Sequence, residues 1–113
     1  TNDNVILDVK KYIEKQCNEQ LRMKDVAIKF GISPNIMNKM FIEKYGISPN
    51  KYHMQCKLHS SVYFLESTDL SIDMISETVG FCDRSHFRKA FVKEYSVTPS
   101  RYRKEFLKSQ AKT

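Results

Sequence analysis

A chain of 113 residues with three Gly and three Pro has too few turn formers for a β-rich fold and reads as all-α. At this length it makes one compact domain, or two very small units that must lean on each other, because ~50 residues bury too little surface alone. No stretch approaches the ~20 apolar residues of a membrane span, and TNDNVILDVKK puts acids before an apolar run too short for a secretory signal, so a cytoplasmic protein is expected. The net charge of +6 is unevenly spread. Residues 58–83 hold Glu66, Asp69, Asp73, Glu77 and Asp83 with no Lys or Arg, whereas 84–113 hold nine bases against Glu94 and Glu105. Such a split suits a polyanionic partner at one end. Cys17, Cys56 and Cys82 are odd in number, far apart and without a C-x-x-C pair, which argues against a disulfide framework or structural zinc and for free thiols.

In chain order, an opening helix over about Asp3–Cys17 sets Ile6, Val9, Ile13 and Cys17 on one side. Met23, Val26, Ala27 and Phe30 then keep i, i+3, i+4, i+7 spacing, and Gly31 supplies a left-handed stop. Ser33-Pro34 starts the next helix, since Ser caps free N–H groups and Pro at N1 loses no needed donor. That helix runs to about Lys44 with Met37, Met40 and Phe41 inward. Ser48-Pro49 begins a helix to near Ser67, roughly 25 Å long at 1.5 Å per residue, with Met54, Leu58, Ser61, Val62 and Leu65 marking one face. Ser71 caps a helix carrying Ile72, Ile75 and Val79, Gly80 ends it, and Asp83 caps the helix carrying Phe87, Ala90 and Phe91. Thr98-Pro99 opens a closing helix with Tyr102 and Phe106 inward, followed by a polar tail, Ser109–Thr113. Seven helices result.

A repeat underlies this order. Shifted by 49, Leu21, Met23, Val26, Ala27, Phe30, Gly31 and Ile32 fall on Leu70, Ile72, Ile75, Ser76, Val79, Gly80 and Phe81. Shifted by 50, Lys39, Phe41, Tyr45, Ile47, Ser48, Pro49 and Tyr52 fall on Lys89, Phe91, Tyr95, Val97, Thr98, Pro99 and Tyr102. Each copy is helix, Gly turn, helix, with a small residue (Ala27 or Ser76) where two axes must approach. That is a helix-turn-helix unit, or an αα-hairpin without a role on nucleic acid. The expected organisation is a first helix-turn-helix subdomain over 1–48, a linker helix over 49–67, and a second subdomain with a basic tail over 68–113.

The stretch IDMISETVGFCDRSHFRKAFVKEYSVTPSRYRKEF (72–106) resembles the signature of AraC/XylS-type transcription regulators, with Ile72, Ile75, Gly80, Phe81, Ser85, Phe87, Phe91, Thr98, Pro99, Tyr102 and Arg103 in matching places. Residues 21–65 are similar to that family's less regular first half. Departures are Ser76 for the usual Ala, Ser96 for Gly, Lys89 and Lys57 for Arg, and Arg22 where the first unit normally has a Ser or Thr cap. A missing cap costs ~1 kcal/mol, which makes the first unit the softer one.

The resemblance implies the C-terminal output domain of a bacterial regulator. It would bind double-stranded promoter DNA sequence-specifically, with two recognition helices in successive major-groove segments of an asymmetric site. Further implied partners are RNA polymerase and an N-terminal sensing, receiver or dimerisation domain, with no cofactor, no metal and no membrane. The family's reading positions carry over to Asn35, Asn38 and Lys39 in the first unit and to Arg84, Ser85, Arg88 and Lys89 in the second. Asn38 and Arg88 each directly follow an inward residue, Met37 or Phe87, which points them outward. Lys51, Arg101 and Lys104 sit at or after the caps of the flanking helices and suit phosphates. His86 beside them reads as lining or packing, and the Tyr and Phe residues as core. An enzyme is not expected: Asp73 and Glu77 share a face at i, i+4, yet no nucleophile, His or metal cluster accompanies them. The competing reading is a helical protein-interaction module that kept the fold and lost DNA binding. Four bases and no acid over Arg84–Lys93 weigh against it.

Overall fold

The computed structural model describes residues 2–111, and among these it contains seven α-helices and no strand. They are α1 (Asn2–Lys15), α2 (Met23–Lys29), α3 (Pro34–Tyr45), α4 (Pro49–Ser67), α5 (Ile72–Thr78), α6 (Arg84–Tyr95) and α7 (Pro99–Ala111). The tail expected over Ser109–Thr113 is therefore helical through Ala111, and its last two residues lie outside the described ones. Neither Gly nor Pro interrupts it, so nothing in the sequence stops the helix sooner. Among the described residues no helix is long and apolar enough to cross a membrane.

The chain divides into two compact units, Thr1–Cys56 and Lys57–Thr113, at a boundary inside α4. In unit 1, Ile6, Val9 and Ile13 of α1 pack with Val26 and Ala27 of α2 and Met37 and Phe41 of α3. The Phe41 ring lies 5.7 Å from that of Tyr52. In unit 2 the buried set is Leu58, Ser61 and Leu65 of α4, Ile75, Ser76 and Val79, then Phe81, Phe87 and Phe91. Here Phe91 stands 5.9 Å from Tyr102. Fully burying one large apolar side chain is worth ~1.5–3 kcal/mol, so a handful of them carries each small core.

The two units repeat each other in more than the stretch legible as a repeat. Ile6, Val9, Ile13 and Glu14 of α1 correspond to Leu58, Ser61, Leu65 and Glu66 of α4, with all six core positions buried. Tyr52 donates its hydroxyl to the Glu14 carboxylate, and Tyr102 donates to Glu66 at 2.5 Å. One residue on, His53 Nε2 lies 3.0 Å from the Cys17 carbonyl oxygen, just past α1. The Arg103 guanidinium donates to the Phe64 and Leu65 carbonyls in the last turn of α4 and to the Thr68 and Leu70 carbonyls just past it. Helix α4 thus serves unit 1 as α7 serves unit 2, and its second half serves unit 2 as α1 serves unit 1.

Candidate nucleic-acid interface

Each unit presents one helix after a tight turn, and the turns are built alike. In unit 1 the Gly31 and Ile32 N–H groups donate to the Ile28 and Ala27 carbonyls, at 3.1 Å each. In unit 2 the Gly80 and Phe81 N–H groups donate to Glu77 and Ser76, at 3.1 and 3.0 Å. This paired closure needs a left-handed residue, and Gly31 and Gly80 supply it at φ +69° and +93°. Ala27 and Ser76 are buried beneath the crossings, and the Ser76 hydroxyl donates to the Asp83 carbonyl, so its extra polar atom is satisfied. Lys57, nearly buried, reaches the Gly80 carbonyl and lies 4.5 Å from the Phe81 ring centroid, bracing the second turn from α4.

The helices that follow are fixed at their first turns. Ser33 Oγ accepts the Ile36 N–H at 3.1 Å, and Asp83 Oδ1 accepts the His86 N–H at 2.7 Å. Inward anchors are Met37 and Phe41 in α3 and Phe87 and Phe91 in α6. With those buried, Asn35, Asn38 and Lys39 stand exposed on α3, and Arg84, Ser85, Arg88 and Lys89 stand exposed on α6. Residues 33–52 and 83–102 show the same order of buried, half-buried and exposed positions throughout. Lys51 and Arg101 follow from the same logic: their N–H groups are capped by Ser48 Oγ (3.1 Å) and Thr98 Oγ1 (3.2 Å), and both side chains are exposed. Lys104 lies one turn further along α7, also exposed.

In unit 2, Arg84, Ser85 and Arg88 line a shallow concavity of about 650 Å³ with Ile72, Thr98, Pro99 and Ser100. It joins the first turns of α5, α6 and α7. Ser100 was not singled out from sequence, although its place directly after the Pro that opens α7 is a signal for exposure at a helix start. Arg84 Nε is 3.5 Å from Asp73 and Arg101 Nε is 3.0 Å from Glu105, both pairs well exposed. Such pairs are worth at most ~1 kcal/mol and yield readily to a phosphate. Among the described residues, Lys39, Lys51, Arg88, Lys89 and Lys104 form no ion pair with a carboxylate. The His86 ring lies edge-on to Phe81, 5.2 Å between centroids.

The family model described as a helix-turn-helix domain matches residues 26–105, spanning both turns and both exposed helices. The chain belongs to the AraC/XylS-type helix-turn-helix family. The Msm operon regulatory protein of Streptococcus mutans is 39% identical to this AraC-type chain over 97 residues, covering 86% of it and 35% of the regulator. The chain spans about a third of the length of that regulator and of other curated relatives of its kind. Among solved structures, the C-terminal domain of AraT, a response regulator from Geobacillus stearothermophilus, is 28% identical, with a TM-score of 0.86 over 89% of this chain and 84% of that one. The DNA-binding domain of AdpA, solved in complex with a target DNA, shares the fold at a TM-score of 0.89 over 96% of this chain and 97% of its own, with 18% identity. The relatives are transcription regulators rather than enzymes.

Proposed function

We propose that this AraC-type chain binds double-stranded promoter DNA sequence-specifically, α3 and α6 entering successive major-groove segments of an asymmetric site. The observation that carries the reading is the matched pair of capped helices, each anchored by two buried side chains and each turning a polar, base-bearing face outward. Residues 1–48 and 68–113 act as the two reading heads and 49–67 as the helix that links them. Asn35 and Asn38 offer amides whose donor and acceptor fit the N7 and N6 edge of adenine. Arg84 and Arg88 offer guanidinium forks that fit the two acceptors of guanine. Ser85 and the cations Lys39 and Lys89 flank these reading groups. Lys51, Arg101 and Lys104 neutralise phosphates near the N-terminal ends of α4 and α7. The full-length protein adds an N-terminal sensing, receiver or dimerisation domain, engages RNA polymerase and works in the cytoplasm.

Selection of binding sites from a random duplex pool tests this. The wild type is expected to enrich an asymmetric site, with A in the half under α3 and G in the half under α6. Arg88→Ala should relax one G position at ~1–3 kcal/mol, whereas Lys51→Ala should weaken all sequences alike. If every variant selects the wild-type motif, the base-reading assignments are wrong. If the wild type enriches nothing, the DNA reading itself fails.

A further inference from the structure

Two of the three cysteines lie where the end of α1 docks against α4 within unit 1. Cys17 follows the last turn of α1, and Cys56 lies on α4. Two contacts dock that end of α1 against α4: Tyr52 on the Glu14 carboxylate, and His53 Nε2 at 3.0 Å from the Cys17 carbonyl oxygen. His53 and Cys56 are i, i+3 on one helix and so share a face. The Tyr52 hydroxyl and the Cys17 thiol are the neighbouring side-chain groups that favour the Cys56 thiolate. Both cysteines are half-buried, while Cys82 is exposed in the turn before α6.

We propose that Cys17 and Cys56 form a modification site, a dithiol that a peroxide closes to an intramolecular disulfide. One thiolate sulfur attacks a peroxide oxygen, the O–O bond breaks, and a sulfenic acid and hydroxide form. The second thiolate attacks that sulfenic sulfur, the S–S bond forms, and a second hydroxide leaves. With the two thiol protons the products are one disulfide and two waters, two electrons having passed from sulfur to oxygen. Burial, with Glu14 nearby, holds the Cys56 thiol above its ordinary pKa, against the neighbouring Tyr52 hydroxyl and Cys17 thiol and the charge of Lys10. Its thiolate fraction at neutral pH is therefore small, and closure is a slow response to sustained oxidant rather than a fast one. The bond would tie the end of α1 to α4 around the loop that contains α2 and α3, the part of unit 1 that includes an uncapped helix.

The test treats the whole chain, wild type and Cys82→Ser, with hydrogen peroxide, then maps it by non-reducing digestion and mass spectrometry. The expected result is a monomer with a Cys17–Cys56 linked peptide. Its thermal midpoint should lie on the order of 10 °C above the reduced form, since a cross-link removes unfolded-state freedom. Reductant should reverse the rise. Cys17 and Cys56 recovered separately, as alkylated thiols, over-oxidised acids or intermolecular links, would overturn the proposal. A linked peptide with an unchanged midpoint would overturn the bracing role assigned to it.

Discussion

Arg103 and Arg84 put the same guanidinium to opposite uses. Arg103 spends its donors on four carbonyls in and just past the last turn of α4, where a cation also suits the helix C-terminus. Arg84 has one loose, exposed pairing with Asp73. Arg103→Ala is therefore expected to cost ~2–4 kcal/mol in urea unfolding, because it strands half-buried carbonyls. Arg84→Ala should change unfolding by no more than ~0.5 kcal/mol and should weaken DNA binding by ~1–3 kcal/mol instead. Tyr102 offers a pH signature. Its hydrogen bond to Glu66, then burial, then the Glu66 charge push its phenol up to about 12. A pKa raised by folding stabilises fully below the unfolded value, ~10, and that contribution disappears as pH climbs through about 12. Thermal melts should thus fall more steeply between those two values for wild type than for Tyr102→Phe. The pairings of Tyr52 and Tyr102 were not readable in the sequence, where both rings looked like plain core. A phenol's partner depends on which carboxylate the fold brings opposite it, and Glu14 and Glu66 are remote in the chain.

At the scale of elements, local chemistry decides where helices begin and end. Ser33, Ser71 and Asp83 each cap with a side-chain oxygen, while Arg22 caps α2 with none. Arg22→Ser should add ~1 kcal/mol to the stability of unit 1, read by urea unfolding. At the other end of a helix, Ser96 holds φ +66°, a conformation that Gly46 supplies at +83° in the equivalent place. A side chain there costs ~1–2 kcal/mol from backbone sterics, so Ser96→Gly is expected to recover about 1 kcal/mol in the same assay. These signals made starts legible from residues alone, since Ser-Pro, Thr-Pro and Asp at a cap each have one physical meaning. The end of α7 was missed for the opposite reason: Ser109 and Gln110 are polar but carry no stop. The kinship of α1 with the second half of α4 was hidden because Ser61 replaces the valine of α1, and without that position the pattern reads as ordinary amphipathy. The outward positions on α3 and α6 followed directly from Met37, Phe41, Phe87 and Phe91, because a helix with its inward face known has its outward face known too.

For the whole molecule, charge and the shared helix matter most. The basic excess after residue 83 includes Arg103, whose cation is committed internally, so the number of phosphates neutralised will be smaller than the count of bases suggests. On a duplex carrying the selected site, log K should fall with log salt at about 0.9 per phosphate contacted, and Lys104→Ala should lower that slope by about 1. Titration between low and moderate KCl measures it, and a flat response would mean that the basic face does not meet phosphates. The division inside α4 also governs where the polypeptide can be severed. A fragment that stops at Ser48, ahead of the linking helix, keeps α3 but forfeits Tyr52 and His53, which stand against Phe41 and the end of α1. One that starts at Thr68 keeps α6 but forfeits Leu58, Ser61 and Leu65, the counterparts of the α1 core residues. Lifting one reading head into another protein therefore means carrying half of the connector with it, and a splice at Cys56–Lys57 leaves each side with its own full complement of helices.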